Sequence, residues 1–161
     1  MCIRDSLSDE SFDESMDIFG GTVWASHCNC RALVPGDRQL SDRQLRRVIE
    51  RGGVIGAALD AWMLIPDWER GVTTPEASGV VLSHVVDQID HVCQLAGNAD
   101  HAGIGTDLDG GFGREQAPGD LETIADLQKL LALLAACGYS AADIEKIMSG
   151  NFLRLLRDAW S

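Results

Sequence analysis

A membrane-spanning helix needs about 18 consecutive apolar residues, and the sequence has no such run. The sequence is also poor in basic residues. Its 161 residues include 25 Asp and Glu against 13 Lys and Arg, which gives a formal net charge of -12. This balance disfavours nucleic acid and anionic membrane surfaces as partners, and a solvated acidic surface accounts for it. Because 45% of the residues are hydrophobic, we expect one domain with a core rather than a disordered chain.

A disulfide framework is also lacking. The five cysteines are an odd number, and reduced thiols are the default for a chain of this size. Cys28 and Cys30 lie beside His27 and suggest a zinc clip. Cys93 and Cys137, however, fall in helical patterns and do not form a second ligand pair at finger-like spacing. We therefore disfavour a cysteine zinc site.

Several motifs for cofactors and nucleophiles are missing as well. Gly103 and Gly105 hint at a dinucleotide fingerprint, but Leu108 occupies the third glycine position and the glycines lie inside a strand pattern. The segment that begins at Asp107 hints at a calcium loop, but residues 111–113 do not supply the later ligands. A nucleophilic-serine elbow and a phosphate-binding loop are absent from the sequence. No nucleotide, calcium or serine-hydrolase site is predicted.

Three short apolar runs predict buried strands. They lie at residues 22–26, 54–59 and 101–106, and the second has no polar alternation, as expected for a strand covered on both faces. Helical patterns separate the three runs. This alternation of strands and helices predicts an α/β fold with a parallel sheet.

Helices are predicted from their caps and from apolar residues that recur on one face. Ser41 and Gln44 form a capping box before the helix that follows the first strand. Gly97 is placed as the C-cap of a longer helix. Ser8 is the expected N-cap of a helix that precedes the first strand.

The last third of the chain is predicted to be all helical and to cover the sheet. Asp120 is the expected N-cap of its first helix, and Ser140 with Asp143 opens the next, which ends at Gly150 before a short final helix. We interpret the apolar stripe of the first helix as core rather than as a surface for a partner. Its members are Ile124, Leu127, Leu131 and Leu134.

Two polar residues stand where predicted strands end. His27 follows the first apolar run, and Asp107 opens an Asp-x-Asp-Gly turn after the third. In parallel sheets the chemistry collects at the carboxyl ends of the strands, because the loops there converge on one face of a rigid scaffold. The pair therefore predicts part of a metallohydrolase active site. A structural histidine and an aspartate that only caps its turn are the alternatives.

Five segments of the chain, taken in order, extend this interpretation. They read WASHCNCRALVPGDRQLSD at 24–42, RGGVIG at 51–56, DQIDHVCQLAG at 87–97, GIGTDLDGG at 103–111 and DIEKIMSGNFLRLLR at 143–157. From about Leu7 to its end, the chain resembles the membrane dipeptidase (renal dipeptidase) family of zinc metallopeptidases. The resemblance implies a (β/α)8 barrel with a two-zinc site that hydrolyses dipeptides, in some members with a D-residue at the carboxyl end.

The resemblance also implies roles for three residues. His27 matches a histidine ligand of one zinc ion, and neutral imidazole suits that metal. Arg38 matches the arginine that holds the free carboxylate of the dipeptide, which a guanidinium can bind through two hydrogen bonds. Asp107 matches the aspartate that moves a proton between the attacking water and the leaving amine. For Arg38, a surface ion pair with Asp37 or Asp42 is the alternative.

The chain departs from the family pattern at its beginning. The family's His-x-Asp pair, the glutamate that bridges both metals and a substrate-contacting histidine would all lie upstream, and Ser6 stands where another zinc histidine is expected. The resemblance implies the carboxyl-terminal part of a TIM-like barrel, about three parallel strands with covering helices. Three parallel strands alone would leave two open sheet edges, and a zinc ion held by one histidine would be bound weakly. Both points agree with a truncated barrel. We expect a partial barrel domain at 7–161 and a non-native leader at 1–6.

Two functional hypotheses follow. The first is a zinc-dependent dipeptidase that acts on dipeptides and is incomplete as this chain. The second is a non-catalytic fragment, or a subunit that needs a separate amino-terminal half.

His84 and His91 lie in the long helical pattern and are assigned to packing or the surface rather than to metal. A homo-oligomer is compatible with the sequence, no lipid anchor is expected, and the cytoplasm is the favoured compartment.

Overall fold

The computed structural model describes residues 7–161. The predicted leader at 1–6 and the serine in place of a histidine at Ser6 lie outside the described residues. The strands are β1 (Trp24–Ala25), β2 (Val54–Ala57) and β3 (Ala102–Ile104). The helices are α1 (Asp9–Ile18), α2 (Asp42–Glu50), α3 (Pro75–Ser78), α4 (Leu82–Ala96), α5 (Lys129–Ala136), α6 (Ala141–Glu145) and α7 (Asn151–Trp160). Short 3-10 helices lie at Ala61–Met63, Arg114–Gln116 and Ile124–Gln128.

The three strands form a parallel sheet in the order β1, β2, β3, which confirms the predicted α/β fold. Trp24 pairs with Val54, and Ile55 pairs with Ala102. The central strand β2 is buried along its whole length, as expected for a strand that is covered on both faces. Helices α2, α4 and α7 contact this strand. In the described range 7–161, no helix is both long enough and apolar enough to cross a membrane.

The strands are shorter than the apolar runs that predict them. After β2, the Ala58 amide donates a hydrogen bond of 2.8 Å to the side-chain oxygen of Asn29. The Ala58 amide is thus bonded to a side chain instead of to a neighbouring strand. The strand therefore ends at Ala57, although Ala58 and Leu59 remain buried in the core.

The predicted caps of the earlier helices are confirmed. Ser41 and Gln44 form a reciprocal capping box at the start of α2, and the Ser8 side chain accepts a hydrogen bond from the Ser11 amide at the start of α1. Gly97 ends α4 with a φ of 72°, in the left-handed region that favours glycine. Local capping chemistry was therefore a sound guide to where these helices begin and end.

Asp120 does not cap the helix that follows it, so that prediction was wrong. Its carboxylate accepts a hydrogen bond of 2.8 Å from the Leu82 amide and caps α4 instead. Thr123 is the N-cap of the 3-10 helix at Ile124–Gln128. A cap supplied by a residue that is distant in sequence leaves no local pattern, which is why the sequence could not reveal it.

The predicted apolar stripe after Asp120 is wrong in part. Ile124 is 72% exposed and Leu131 is 43% exposed, whereas Leu130 and Leu134 are buried. The segment begins as a 3-10 helix and becomes α-helical only at α5. Because a 3-10 helix has about three residues per turn, the inward face does not follow the α-helical spacing that the prediction assumed.

Gly150 does not end a helix, contrary to the prediction. Residues Lys146–Gly150 form a π-helical turn that joins α6 to α7, and Gly150 has an ordinary helical φ of -58°. Ser140 caps α6 as predicted by accepting a hydrogen bond from the Asp143 amide. The continuous helical segment packs against β3 and brings Asn151 into the core.

Candidate active site at the carboxyl edge of the sheet

The segments that follow the three strands lie at one edge of the sheet, because the strands are parallel. We call this the carboxyl edge and define it by residues Ser26–His27, Ala58–Asp60 and Gly105–Asp107. The Leu59 amide donates a hydrogen bond of 3.1 Å to the Thr106 carbonyl across it. The edge therefore continues the framework of the sheet beyond the last paired residues.

Two glycines allow the backbones to approach closely at this edge. A Cβ atom at Gly56 or at Gly105 would overlap with the carbonyl oxygen of Ser26. The Cys28 amide also donates a hydrogen bond of 2.9 Å to the Gly56 carbonyl. The backbone that carries His27 is therefore packed tightly against β2 and the end of β3, and a larger residue at either glycine would displace it.

His27 follows β1 and is half-buried. Its Nδ1 lies 2.7 Å from the Ser26 hydroxyl oxygen, and this hydrogen bond orients the ring. An imidazole that binds a metal through Nε2 carries its hydrogen on Nδ1 and needs an acceptor for it. The Ser26 hydroxyl can accept that hydrogen, so the local geometry suits the predicted ligand role.

Asp107 follows β3 in a strained backbone conformation. Its φ of 57° lies in the left-handed region that residues other than glycine rarely adopt. The turn is closed by the Gly110 amide, which donates to the backbone carbonyl of Asp107 at 2.8 Å. The carboxylate fills the space that a Cβ atom of Gly110 would need, with Oδ1 at 2.6 Å from that position. Such strain costs about 1–3 kcal/mol and is concentrated at functional sites.

A buried amide joins the loops after β1 and β2. The Asn29 side chain donates to the carbonyls of Ala58 at 3.1 Å and Met63 at 2.9 Å, and it accepts from the Ala58 amide. The Gln39 side chain donates to the Met63 carbonyl at 3.1 Å. These hydrogen bonds hold the loop after β1 against the loop after β2.

Arg38, on the loop after β1, approaches an aromatic ring on the loop after β2. Its guanidinium carbon is 5.9 Å from the centre of the Trp62 ring, and that of Arg70 is 4.8 Å from the same ring. Both distances are within the about 6 Å at which a cation is attracted to a ring face. Asp42, one of the alternative partners predicted for Arg38, is bonded to His91 at 2.8 Å.

Asp60 is a residue of this edge that the sequence analysis did not select. It follows β2, and its side chain is only 7% exposed. Its carboxylate oxygens accept hydrogen bonds from Trp62 Nε1 at 2.5 Å and from Gln116 Nε2 at 2.8 Å. Burial raises the pKa of this carboxyl group, and the two hydrogen bonds oppose that shift. The rule that a polar residue directly after an apolar strand marks the site would have selected Asp60 too.

The described residues do not assemble a complete metal site. Across 7–161, no three His, Cys, Asp or Glu side chains are grouped so that they could hold a metal ion. A stable site usually needs three or four protein ligands, and His27 is one imidazole. Burial raises the pKa of the Cys30 thiol to about 12, which disfavours the thiolate form that binds metal. This part of the chain fits one ligand of a metal site and not a whole site.

The two histidines of α4 have other partners. His91 Nε2 lies 2.8 Å from a carboxylate oxygen of Asp42, the first residue of α2. His84 Nδ1 lies 3.2 Å from the backbone of Val81, at the start of α4. These positions agree with the predicted packing and surface roles.

The fold and this edge define part of a TIM-like barrel with polar residues on the loops where such barrels carry their active sites. A family model described as "Membrane dipeptidase (Peptidase family M19)" matches residues 5–160. The chain therefore belongs to the membrane dipeptidase family of metallopeptidases, which confirms the resemblance predicted from the sequence.

Two curated relatives illustrate the match. An uncharacterized protein in the pqqA 5′ region of Klebsiella pneumoniae is 35% identical over 154 residues, which are 96% of this chain and 53% of that protein. The dipeptidase tcpJ of Claviceps purpurea (strain 20.1) is 30% identical over 152 residues, 94% of this chain and 33% of that protein. The chain thus spans between a third and about half of the length of these relatives.

Solved structures of peptidases of this family also match most of the chain. A metallo peptidase from Rhodobacter sphaeroides, liganded with a phosphinate mimic of the dipeptide L-Ala-D-Ala, superposes with a TM-score of 0.81 at 27% identity. The match covers 96% of this chain and 41% of that one. A second structure, described as the dipeptidase AC of family M19, has a TM-score of 0.80 at 27% identity and covers 96% of this chain and 42% of that one. The fold is therefore that of part of an M19 dipeptidase.

Proposed function

We propose that this chain forms part of the active site of a metal-dependent dipeptidase, which hydrolyses the peptide bond of a dipeptide. The observation that carries the proposal is the placement of His27 and Asp107 after β1 and β3, at one edge of the sheet, in a chain that belongs to this family. The dipeptide mimic bound to the Rhodobacter sphaeroides peptidase supports the substrate class. Zinc is the proposed metal, on the basis of the motifs that the chain shares with zinc peptidases.

Arg38 binds the free carboxylate of the dipeptide in this proposal. A guanidinium presents a planar set of donors that matches a carboxylate, and contact with an aromatic ring limits its movement. Its approach to the Trp62 ring, which belongs to the loop after β2, supports a fixed position. Because the carboxylate of a dipeptide is one residue away from the bond that breaks, a fixed cation favours dipeptides over longer peptides.

Asp107 moves the proton. The oxygen of a water molecule forms a bond to the carbon of the peptide carbonyl, and the Asp107 carboxylate accepts the proton that this water loses. The bond between carbon and nitrogen then breaks, and the leaving nitrogen takes the proton from Asp107. The strained, glycine-rich turn supports this role, because it holds the carboxyl group in one place beside Gly110.

His27 supplies one imidazole ligand to the metal. The hydrogen bond between its ring and the Ser26 hydroxyl supports this assignment, since it orients the ring. Within 7–161 no three potential ligands are grouped together, so in this proposal the remaining ligands come from outside that range or from another chain. A second candidate function follows from that observation, namely a subunit that is active only when a separate amino-terminal half completes the site.

The test is the metal content and dipeptide hydrolysis of the full-length product of the gene that carries this chain. Metal is counted by elemental analysis for the wild type, for His27→Ala and for the matched control His84→Ala. We expect His27→Ala to lose metal and activity, because stable sites need three or four ligands. The His84→Ala variant should keep both, since that side chain contacts the backbone of Val81, just before α4.

The outcomes separate the two candidate functions. Bound metal and cleavage in the gene product alone support the dipeptidase and refute the subunit. Metal and activity that arise only after an amino-terminal half is added as a second chain support the subunit. If metal content is the same in the wild type and in His27→Ala, the ligand role of His27 is wrong.

A further inference from the structure

Arg70 is a second cation at the carboxyl edge, on the loop that follows β2. Its guanidinium carbon lies 4.8 Å from the centre of the Trp62 ring, closer than that of Arg38 at 5.9 Å. The two guanidinium groups therefore share one aromatic ring. This concentrates positive charge in a chain whose formal net charge is -12.

Within the described residues 7–161, no hydrogen bond engages the donors of Arg70. The side chain is 60% exposed, and its nitrogen lies 3.6 Å from the Asp60 carboxylate, too far for a hydrogen bond. Asp67 and Glu69 are exposed on the same loop, yet among residues 7–161 neither forms an ion pair with Arg70. A guanidinium held over a ring keeps its in-plane N–H groups free for a planar anion, and a carboxylate has the matching geometry.

Asp60 fixes the ring and the charge together. One carboxylate oxygen accepts from Trp62 Nε1 at 2.5 Å and is also the oxygen nearest to Arg70. The other oxygen accepts from Gln116, on the loop after β3. This buried group therefore joins the aromatic ring, the second cation and the third loop of the carboxyl edge.

We propose that Arg70 binds the side-chain carboxylate of a dipeptide whose carboxyl-terminal residue is Asp or Glu, and that Asp60 is the positioning residue for this subsite. The inference rests on the proposed function, in which Arg38 holds the main-chain carboxylate. An acidic carboxyl-terminal residue has two carboxylates only a few bonds apart. Two guanidinium groups approach one ring, so each carboxylate has one cation as its partner in this proposal.

The test compares Ala-Glu with Ala-Gln, which have nearly the same shape and differ by one charge. In the full-length protein we expect a kcat/KM about tenfold higher for Ala-Glu, the effect of about one charge-assisted hydrogen bond. In Arg70→Gln the ratio of kcat/KM for Ala-Glu to kcat/KM for Ala-Gln should fall to about one. The kcat/KM for Ala-Gln should stay near that of the wild type. In Arg38→Gln both dipeptides should be cleaved less well, because both carry the main-chain carboxylate.

A matched control is Arg43→Gln on α2. The Arg43 side chain is also 60% exposed and is paired with an aspartate, but that aspartate, Asp13, belongs to α1. We expect this variant to keep the wild-type preference for Ala-Glu. Loss of the preference in both variants would show a general charge effect and would overturn the subsite.

Asp60→Asn tests the positioning role, because asparagine can still accept a hydrogen bond from Trp62 but does not attract Arg70 as a charge does. We expect KM for Ala-Glu to rise several-fold with kcat nearly unchanged, and the indole N–H signal of Trp62 to shift in the NMR spectrum. The signal is assigned from its loss in Trp62→Phe. If KM for Ala-Glu and for Ala-Gln changes equally, the positioning role is wrong.

Binding to the Asp107→Asn variant distinguishes the two levels of the proposal. Tighter binding of Ala-Glu than of Ala-Gln supports the subsite. If the variant binds both dipeptides equally and the wild type cleaves both equally, the subsite is overturned and the proposed function stands. If the protein neither binds nor cleaves either dipeptide, the proposed function and this inference both fail.

Discussion

The two ends of the three-stranded sheet carry the same kinds of residue in very different settings. The loops after the strands carry His27, Asp107 and Arg38, and the amino end has His101, Asp100 and Arg154. At the amino end, His101 Nδ1 lies 2.8 Å from the Gly53 carbonyl, and Arg154 donates to the Asp100 carbonyl at 2.8 Å. These side chains bond to the main chain and tie the sheet to α7.

The carboxyl edge differs in strain, burial and available donors. Asp107 has a φ of 57°, Asp60 is buried with a raised pKa, and Arg70 is exposed over a ring. Asp100 at the other end has its pKa lowered by the ammonium group of Lys146, which is 2.8 Å away. The comparison teaches that a histidine, an aspartate and an arginine near strand ends do not define a site. We infer a site from their partners, since groups that satisfy each other stabilise the fold and strained residues are concentrated at functional sites.

The largest contrast is expected from replacing one aspartate at each end. In the full-length protein, Asp107→Asn should lower kcat by about 10²–10⁴-fold, because the amide cannot carry the proton, and metal content should not change. Asp100→Asn makes the same chemical change at the amino end and should leave kcat near that of the wild type. Steady-state kinetics with Ala-Gln and elemental analysis measure both. A similar loss of kcat in the two variants would remove the functional distinction between the ends.

A buried amide at each end provides the next contrast. Asn151 donates to the carbonyls of Ala99 at 2.7 Å and Ala102 at 2.8 Å, as Asn29 does to those of Ala58 and Met63. Replacing either asparagine with alanine leaves buried carbonyls without a donor, so the free energy of unfolding should fall by about 2–4 kcal/mol in both variants. Urea denaturation of the full-length protein measures this loss.

The two asparagine variants should differ in their kinetics. Asn29→Ala loosens the loop that carries Arg38, so we expect KM for Ala-Gln to rise several-fold. Asn151→Ala should leave KM unchanged at a temperature where both variants are folded. An unchanged KM in Asn29→Ala would mean that Arg38 is held by other contacts, or that it does not bind the substrate.

The sequence predicted what depends on local patterns. The capping box of α2 and the glycine cap of α4 are each encoded within a few neighbouring residues, and the parallel sheet follows from the alternation of strand and helix patterns along the chain. Asp120 shows the limit. It looks like the cap of the next helix but bonds to Leu82, 38 residues earlier, and no local pattern encodes that contact.

The candidate site shows the same limit. His27 and Asp107 were selected because each follows an apolar strand, and both lie at the carboxyl edge. The network around Asp60 joins residues up to 56 positions apart in the sequence, so its members had no shared motif. Trp62 is a near neighbour of Asp60 in the sequence, but only the fold brings Gln116 to that carboxyl group.

The smallest contrast is the dependence of stability on pH at the two ends. An aspartate in an unfolded chain has an ordinary pKa of 3.8, and Asp60 has a folded pKa above this value while Asp100 has one below it. As the pH rises, Asp60 loses its proton in the unfolded chain before it does so in the folded protein. The free energy of unfolding therefore falls as the pH rises from 3.8 through the folded pKa. For Asp100 the contribution is present above 3.8 and is lost as the pH falls through the lowered pKa.

Urea denaturation at several pH values between about pH 3 and pH 7 measures these dependences when each Asn variant is subtracted from the wild type. The difference in free energy of unfolding between the wild type and Asp60→Asn should decrease with rising pH. The corresponding difference for Asp100→Asn should increase. The Asp100 change should be the smaller one, because its side chain is 44% exposed and solvent screens its ion pair with Lys146. Slopes of the same sign would mean that burial does not govern Asp60, and the two ends would then differ in backbone strain but not in electrostatics.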